Sequence, residues 1–177
     1  MNKYIGRNKY VFERHRPIHK SAFKTEKRRL SSALKGKDVT IEHVGSTAVP
    51  GLGGRNILDI AIGVKEGSLR NLKPEIERLG YAFSDTGGTT QRLFFTRCMK
   101  FHSRRVNIHL HLERFDGLAW KRHTAFRDYL IKHRAAMLEY AAIKKKAASS
   151  AKGDRELYRK IKGPLIRKFT KRAIGGN

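Results

Sequence analysis

Three groups of residues in this chain have types and spacing that could act on a charged ligand. The pair Gly45-Ser46 precedes a lone carboxylate, Asp59, which lies inside the apolar run ILDIAI. Further along, His109 and His111 alternate with apolar residues towards Glu113. Carboxylates and imidazoles bind metals or transfer protons, and small residues at a turn can bind phosphate. The residues therefore pose two alternatives, a nucleotide-handling site or a tight turn followed by a buried strand.

The loop GSTAVPGLGG, residues 45–54, is the candidate phosphate-binding element. The Gly45 turn offers backbone N–H groups, and Ser46 and Thr47 add hydroxyl groups that can contact a phosphate. The loop lacks the Lys-Ser ending of a P-loop and does not match the dinucleotide-binding fingerprint. Composition alone equally favours a loop that only needs small residues.

Asp59 is the stronger signal because a carboxylate in an apolar strand is costly. Burying it without a partner costs on the order of several kcal/mol, so it needs a metal ion, a basic residue or a hydrogen-bond donor. Arg55 precedes it by four residues and could form a structural ion pair with it. The functional alternative is a carboxylate that lies beside a metal ion or a phosphate. A two-carboxylate metal site would place its second acid at Ala61.

The segment VNIHLHLER alternates in the manner of a strand with one polar and one apolar face. Side chains alternate across a sheet, so one face carries Asn107, His109, His111 and Glu113. The two histidines could bind a metal, act as general acid and base, or contact phosphate. The structural alternative is a pair of histidines with no ligand.

Two arginines are further candidates for ligand binding. Arg92 opens the strand RLFFTRCM and could clamp a phosphate or face water. Arg127 lies in the helical segment FRDYL, where its neighbours look like core, and it is a possible substrate contact.

These residues must be positioned by a mixed set of helices and strands. The hydrophobic periodicity predicts the order helix, strand, loop, strand, helix, strand pair and then helices. This order indicates an α+β or α/β-like fold, with a small mixed β-sheet and helices gathered on it. We expect Pro74 to interrupt one helix, which Ser68 could cap. We expect Gly163-Pro164 to break or kink the last helix, which Asp154 could cap. The predicted segments are 18–35, 38–45, 56–64, 68–81, 92–99, 106–114, a helical pattern from Trp120, and 152–173.

Composition adds the electrostatic setting. The chain has 177 residues, with 40 Lys and Arg against 15 Asp and Glu, for a formal net charge of +25. Such a surface attracts polyanions, so nucleic acid is a possible partner, although a solvated basic surface is the plain alternative. The single cysteine, Cys98, excludes an internal disulfide and favours a cytoplasmic location. We expect no membrane association, because the apolar stretches are far shorter than a membrane span.

Several segments, in the same order, resemble the GrpB family. They are IEHVGSTAVPGLGGRNILDIAIGV, RLFF, HLHL, FRDYL, and EYAAIKKKAA followed by RELYRKIK. The resemblance covers roughly residues 12–169, so we expect one GrpB-like domain over residues 1–177. It implies a minimal nucleotidyltransferase-like fold. Similar domains also form the C-terminal extension of some dephospho-coenzyme A kinases.

The resemblance also implies roles for particular residues. Gly45-Ser46 matches the Gly-Ser signature of nucleotidyltransferases, and Asp59 matches the first acid of their paired-acid motif. Ala61 replaces the second acid, and the segment His109–Glu113 stands where a third strand acid would be. In an active transferase two metal ions held by carboxylates align the triphosphate, and one aspartate cannot hold two such ions.

The predicted function is therefore binding of a nucleotide or another phosphorylated ligand, with nucleotidyl transfer as a possible reaction. Asp59, His109 and His111 are the expected catalytic residues, and Asp59 and Glu113 the expected ligands of Mg²⁺. Gly45, Ser46, Thr47, Arg55, Arg92 and Arg127 are the expected ligand-binding residues. The alternative is a catalytically silent module that binds RNA, a nucleotide or a protein partner.

Overall fold

A computed structural model describes residues 12–55, 57–85, 88–89 and 91–175. Helices and strands alternate in the first two thirds of the chain, and helices alone follow. The elements are α1 (Ile18–Ala33), β1 (Val39–Val44), a 3₁₀ turn (Ser46–Ala48), β2 (Ile57–Val64), α2 (Leu69–Arg78), β3 (Ala82–Phe83), β4 (Arg92–Phe101), β5 (Arg104–Arg114), α3 (Leu118–Lys132), α4 (Arg134–Ala151) and α5 (Arg155–Gly175).

The five strands form one mixed sheet in the order β1-β2-β5-β4-β3. β2 and β5 run parallel at the centre, whereas β1–β2, β4–β5 and β3–β4 are antiparallel. The parallel pair requires a long crossover, and α2, β3 and β4 provide it. This architecture confirms the predicted α+β class with a small mixed sheet.

One face of the sheet forms the main hydrophobic core under α1 and α2. Ile108, Leu110 and Leu112 of β5 are fully buried on this face, beside Ile60 and Ile62 of β2. Because strand residues alternate, His109, His111 and Glu113 must point to the opposite face. The predicted division of β5 into an apolar and a polar face is therefore confirmed.

The opposite face carries the polar residues and is covered in part by α3. Trp120 of α3 packs against Val44 and Ala61. A side chain at Gly63 would come within 2.8 Å of the Trp120 ring, so this glycine permits the close approach of α3. Helices α4 and α5 pack on α3 through a second cluster that includes Leu130, Tyr140 and Phe169. The last three helices thus pack together beside the polar face of the sheet.

Some local expectations were wrong. Helix α5 continues through Gly163-Pro164, so of the predicted break or kink the break does not occur, and α2 runs through Pro74 without interruption. The helical run from Trp120 is two helices, separated at His133. Strand β3 was missed because it has only two residues. Asn56, at the start of one predicted strand, lies outside the described residues.

Other local expectations are confirmed. Asp154 caps α5, since its Oδ1 accepts hydrogen bonds from the backbone N–H of Glu156 at 2.8 Å and Leu157 at 3.2 Å. Ser68 caps α2 by accepting from the N–H of Arg70 at 3.3 Å. In the described part of the chain, no helix is long and apolar enough to cross a membrane.

Candidate functional site

The Gly45 turn lies directly against Asp59. Gly45 has φ +70° and ψ −168°, a conformation that is essentially restricted to glycine. A Cβ added at Gly45 would come within 2.8 Å of the Cγ of Asp59 and overlap its Oδ2. The turn and the carboxylate are in contact because Val44 pairs with Asp59 across β1 and β2. The structure therefore brings two of the predicted site elements together.

Asp59 also faces both predicted histidines. It pairs with His109 in the parallel β2–β5 register, and His111 is the next residue on the same face of β5. The Asp59 Oδ1 lies 3.5 Å from the Nδ1 of His109 and 3.7 Å from the Nε2 of His111. These two imidazoles are partners of the carboxylate. The guanidinium of Arg55 lies 5.3 Å from the centre of the Tyr158 ring.

The two imidazoles determine the charge of Asp59. Burial alone would raise the pKa of this carboxyl, but interactions with His109 and His111 outweigh burial and hold the pKa well below its ordinary value. Asp59 is therefore ionised near neutral pH. An ionised carboxylate can bind a cation or orient an imidazole.

Neither of the other two expected acid positions supplies a second carboxylate beside Asp59. Ala61 is fully buried against Val44 and Trp120, so an apolar contact occupies the place of the second acid. Glu113 pairs with Gly63, four residues along the strands from Asp59. Four residues of strand span about 13 Å, so the two carboxylates expected to share Mg²⁺ do not lie side by side. The geometry offers Mg²⁺ one carboxylate here.

A cluster of cations faces the Gly45 turn from the C-terminal helices. Lys144 of α4 is 3% exposed, and its Nζ donates a hydrogen bond to the carbonyl oxygen of Gly53 at 2.7 Å. A Cβ added at Gly54 would lie 2.5 Å from this Nζ and 2.9 Å from the Oγ of Ser46. The ammonium group and the Ser46 hydroxyl thus converge on one glycine backbone.

Lys162 of α5 and Arg55 extend this cluster around an aromatic ring. The Nζ of Lys162 lies 4.9 Å from the centre of the Tyr158 ring, which Arg55 also approaches. Burial, together with the charge of Lys162, lowers the pKa of Lys144 to about 7, while Asp59 opposes the shift. Burial and Arg55 lower the pKa of Lys162 to about 8. Cations that destabilise one another in this way are stabilised by an added anion.

Sequence reasoning missed Lys144 and Lys162 because both lie in segments rich in basic residues. The signal was the position of Lys144 in a buried helical stripe. Tyr140, Lys144, Ala147 and Ala151 recur at steps of four, three and four, and all are buried. Lysine is rarely buried without a paired group. A lysine in such a stripe therefore indicates a specific role.

Thr47 has a structural role. Its hydroxyl donates to the carbonyl oxygen of Ile57 at 3.0 Å and lies 3.0 Å from the Nε2 of His43. His43 stacks on Phe23, and burial lowers its pKa to about 4. A neutral imidazole and a threonine hydroxyl thus join the 3₁₀ turn to the start of β2.

The two candidate arginines lie away from Asp59 or are engaged elsewhere. Arg127 of α3 donates to the Oε2 of Glu42 at 2.7 Å and to the carbonyl oxygen of His43 at 2.8 Å. These contacts join α3 to β1. Arg92 lies opposite Glu113 in the register of β4 and β5, at the far end of the polar face from Asp59. Arg127 thus contacts β1 two residues before the Gly45 turn, whereas Arg92 lies at the opposite end of the polar face.

The sequence of the chain is similar to known bacterial proteins. The family profile described as GrpB protein matches residues 10–172. A UPF0157 protein of Pseudomonas aeruginosa is 34% identical over 162 residues, which cover 89% of this chain and 65% of that protein. A dephospho-CoA kinase of Mycolicibacterium paratuberculosis is 27% identical over 82% of this chain but only 41% of its own length. The chain thus spans less than two thirds of each of these two relatives.

Solved structures show the same fold. The conserved protein GrpB from Enterococcus faecalis has a TM-score of 0.79 and 29% identity, covering 94% of this chain and 98% of that one. The GLD-2/RNP-8 complex has a TM-score of 0.53 at 12% identity, covering 78% and 58%. The second likeness concerns the fold alone.

Proposed function

The chain belongs to the GrpB family, and from that premise we propose that it binds a nucleotide or another phosphorylated small molecule beside the Gly45 turn. Ser46 and Lys144 would contact the phosphates, with Lys162 and Arg55 supplying further positive charge. Asp59 would face the ligand from β2. The fold is nucleotidyltransferase-like, but a fold hosts many functions, so the proposal rests on the site.

The observation that carries the proposal is the burial of Lys144 beside other cations. Burying an ammonium group costs on the order of several kcal/mol unless an anion offsets it. Its described hydrogen-bond acceptor, the carbonyl of Gly53, carries no charge. A phosphate group would offset the cost and accept hydrogen bonds from the Ser46 hydroxyl as well. The site therefore has the chemistry of an anion receptor.

Asp59 is suited to hold one Mg²⁺ together with the phosphates. Mg²⁺ commonly uses one or two carboxylates plus phosphate oxygens and water, and the ionised Asp59 supplies one such ligand. A bound ion would neutralise charge on the phosphoryl oxygens. Nucleotidyl transfer is the finer part of the proposal. An acceptor hydroxyl would attack the α-phosphorus of a nucleoside triphosphate and release pyrophosphate, and His109 would accept the proton of that hydroxyl while Asp59 orients its ring.

The proposal predicts that Lys144→Met weakens binding of ATP by about 10- to 100-fold, because a hydrogen bond to a charged group contributes about 1.5–3 kcal/mol. Methionine keeps most of the buried length of the side chain and removes the charge. Calorimetric titration of ATP, with and without Mg²⁺, measures the effect on protein freed of nucleic acid in high salt. Lys145→Met is the matched control, since this neighbouring lysine is exposed.

Two results would contradict the proposal. One is ATP binding that both lysine variants weaken equally, which would indicate general attraction to the basic surface. The other is no ATP or inorganic phosphate binding to the wild type. RNA binding whose affinity falls steeply with salt concentration and depends neither on Mg²⁺ nor on Lys144 would support the silent-module alternative instead.

The lowered pKa values predict a pH dependence of ligand binding. An anion favours the charged form of Lys144 and Lys162, whose pKa values are about 7 and about 8 in the free protein. Binding should therefore take up protons near neutral pH. Affinity should fall as the pH rises from about 7 to 9, because the free lysines are then increasingly neutral. Titrations in two buffers with different ionisation enthalpies measure the uptake, and Lys144→Met should reduce it.

A further inference from the structure

A second cluster of ligating side chains lies on the polar face, beyond His111. His111 and Glu113 project from the same face of β5, and His123 reaches them from α3. One ligand atom from each of these three residues lies within 4.8 Å of the others. The rings of His111 and His123 have centroids 4.6 Å apart. The cluster is distinct from the cations around the Gly45 turn.

The burial of Glu113 calls for a cation. Its side chain is fully buried, and the Nδ1 of His123 lies 3.2 Å from its Oε2, in hydrogen-bond geometry, and 2.9 Å from its Oε1. Within the described residues the Oε1 has no hydrogen bond, and the Nδ1 of His111 is likewise buried without one. Buried polar atoms without partners are uncommon, and a bound ion is one standard explanation. An acceptor oxygen and a ring nitrogen could both be satisfied by the same metal ion.

The orientation of His111 matches that of a metal ligand. Its Nε2 lies 3.7 Å from the Oδ1 of Asp59, while its Nδ1 has no hydrogen-bond partner in the described part of the chain. Metal-bound histidines commonly have their second nitrogen oriented by a carboxylate, which fixes the tautomer. Asp59 can orient the His111 ring in this way through the Nε2.

The donor set points to a transition metal. Imidazole ligands favour zinc, iron, copper and nickel over Mg²⁺, and two histidines with one glutamate form a known zinc ligand set. A tetrahedral zinc ion with bonds of about 2.1 Å separates its ligand atoms by about 3.4 Å. The Oε1 of Glu113 now lies 2.9 Å from the Nδ1 of His123, and one ligand atom of each of the three residues lies within 4.8 Å of the others. Small side-chain rotations would bring the three groups to the spacing that zinc requires.

We propose that His111, Glu113 and His123 bind a divalent transition-metal ion, with zinc the best match, and that Asp59 is a positioning residue for His111. The site needs no nucleotide, so it stands whether or not the proposed phosphate binding is correct. With three protein ligands, zinc would keep one coordination position open.

The test is titration of the tag-free, chelator-treated protein with ZnCl₂ by calorimetry, with Co²⁺ absorption as a coordination probe. We expect one ion per chain at this site. His123→Gln should weaken zinc binding by more than about 100-fold, and Asp59→Asn by about 10- to 100-fold. His102→Asn is the control, since His102 is an exposed histidine on the β4–β5 turn and asparagine tolerates its φ of +52°.

His123 is partly exposed, so the key variant should keep the fold, which circular dichroism checks directly. Glu113→Gln gives a second measure, because it retains the shape of the buried side chain. Wild-type protein that binds no zinc, or a His123→Gln variant that binds zinc as tightly as the wild type, would overturn the proposal. Tetrahedral Co²⁺ absorption that disappears in His123→Gln and persists in His102→Asn would support it.

Discussion

Gly45→Ala is expected to abolish phosphate-ligand binding and to destabilise the fold by about 2–4 kcal/mol. The added methyl group would overlap the carboxylate of Asp59, and the backbone conformation is one that alanine rarely adopts. To fold, the variant must displace either the Gly45 turn or Asp59. Either movement separates the turn from the carboxylate, and displacement of Asp59 would also alter its contacts with His109 and His111.

Gly36→Ala is the control for Gly45→Ala. Gly36 also has a positive φ, +83°, but a Cβ there would meet no atom within 4 Å. It should cost about 1–2 kcal/mol in unfolding free energy and leave ATP binding unchanged. Chemical denaturation and ATP titration of both variants separate backbone strain from the clash with Asp59. Equal effects of the two variants on ATP binding would show that the contact between Gly45 and Asp59 has no role in the site.

Glu26→Ala is expected to destabilise the protein by about 3–5 kcal/mol, the largest effect on stability that the structure predicts. Glu26 is 2% exposed and accepts hydrogen bonds from Arg29 at 2.7 Å, Arg97 at 2.9 Å and the Tyr81 hydroxyl at 2.7 Å. This network joins α1 to β4 and to the segment before β3. Alanine would leave two guanidinium groups and a phenol without their shared acceptor.

Denaturant unfolding of Glu26→Ala measures the effect, with Glu77→Ala as the control. Glu77 pairs with Lys73 on the exposed side of α2, and such pairs contribute less than about 1 kcal/mol. Although burial alone would raise the pKa of Glu26, its contacts with Arg29, Tyr81 and Arg97 outweigh burial and lower it. The contribution of Glu26 is therefore complete above its ordinary pKa of 4.5 and is lost as the pH falls below it. Comparable losses of stability in the two variants would contradict the importance of the network.

The sequence by itself determined the strands and the faces that carry the chemistry. Alternation in β5 assigned His109, His111 and Glu113 to one side, because side chains in a strand necessarily alternate. The cost of burying Asp59 in an apolar strand likewise showed that this carboxylate needs a partner. Both inferences rest on local geometry. They could be made without knowing which strands are neighbours.

Only the tertiary structure decided which groups meet. Parallel pairing of β2 with β5 placed Asp59 opposite His109, and the same register put Glu113 out of its reach. The helices then brought His123 to Glu113, and Lys144 to Gly53, 91 residues apart in sequence. Each lysine in the run KKK has the same intrinsic charge, but packing of α4 buries Lys144 and leaves Lys145 in water. Local sequence cannot distinguish them, because the free energy that separates them comes from neighbours supplied by distant parts of the chain.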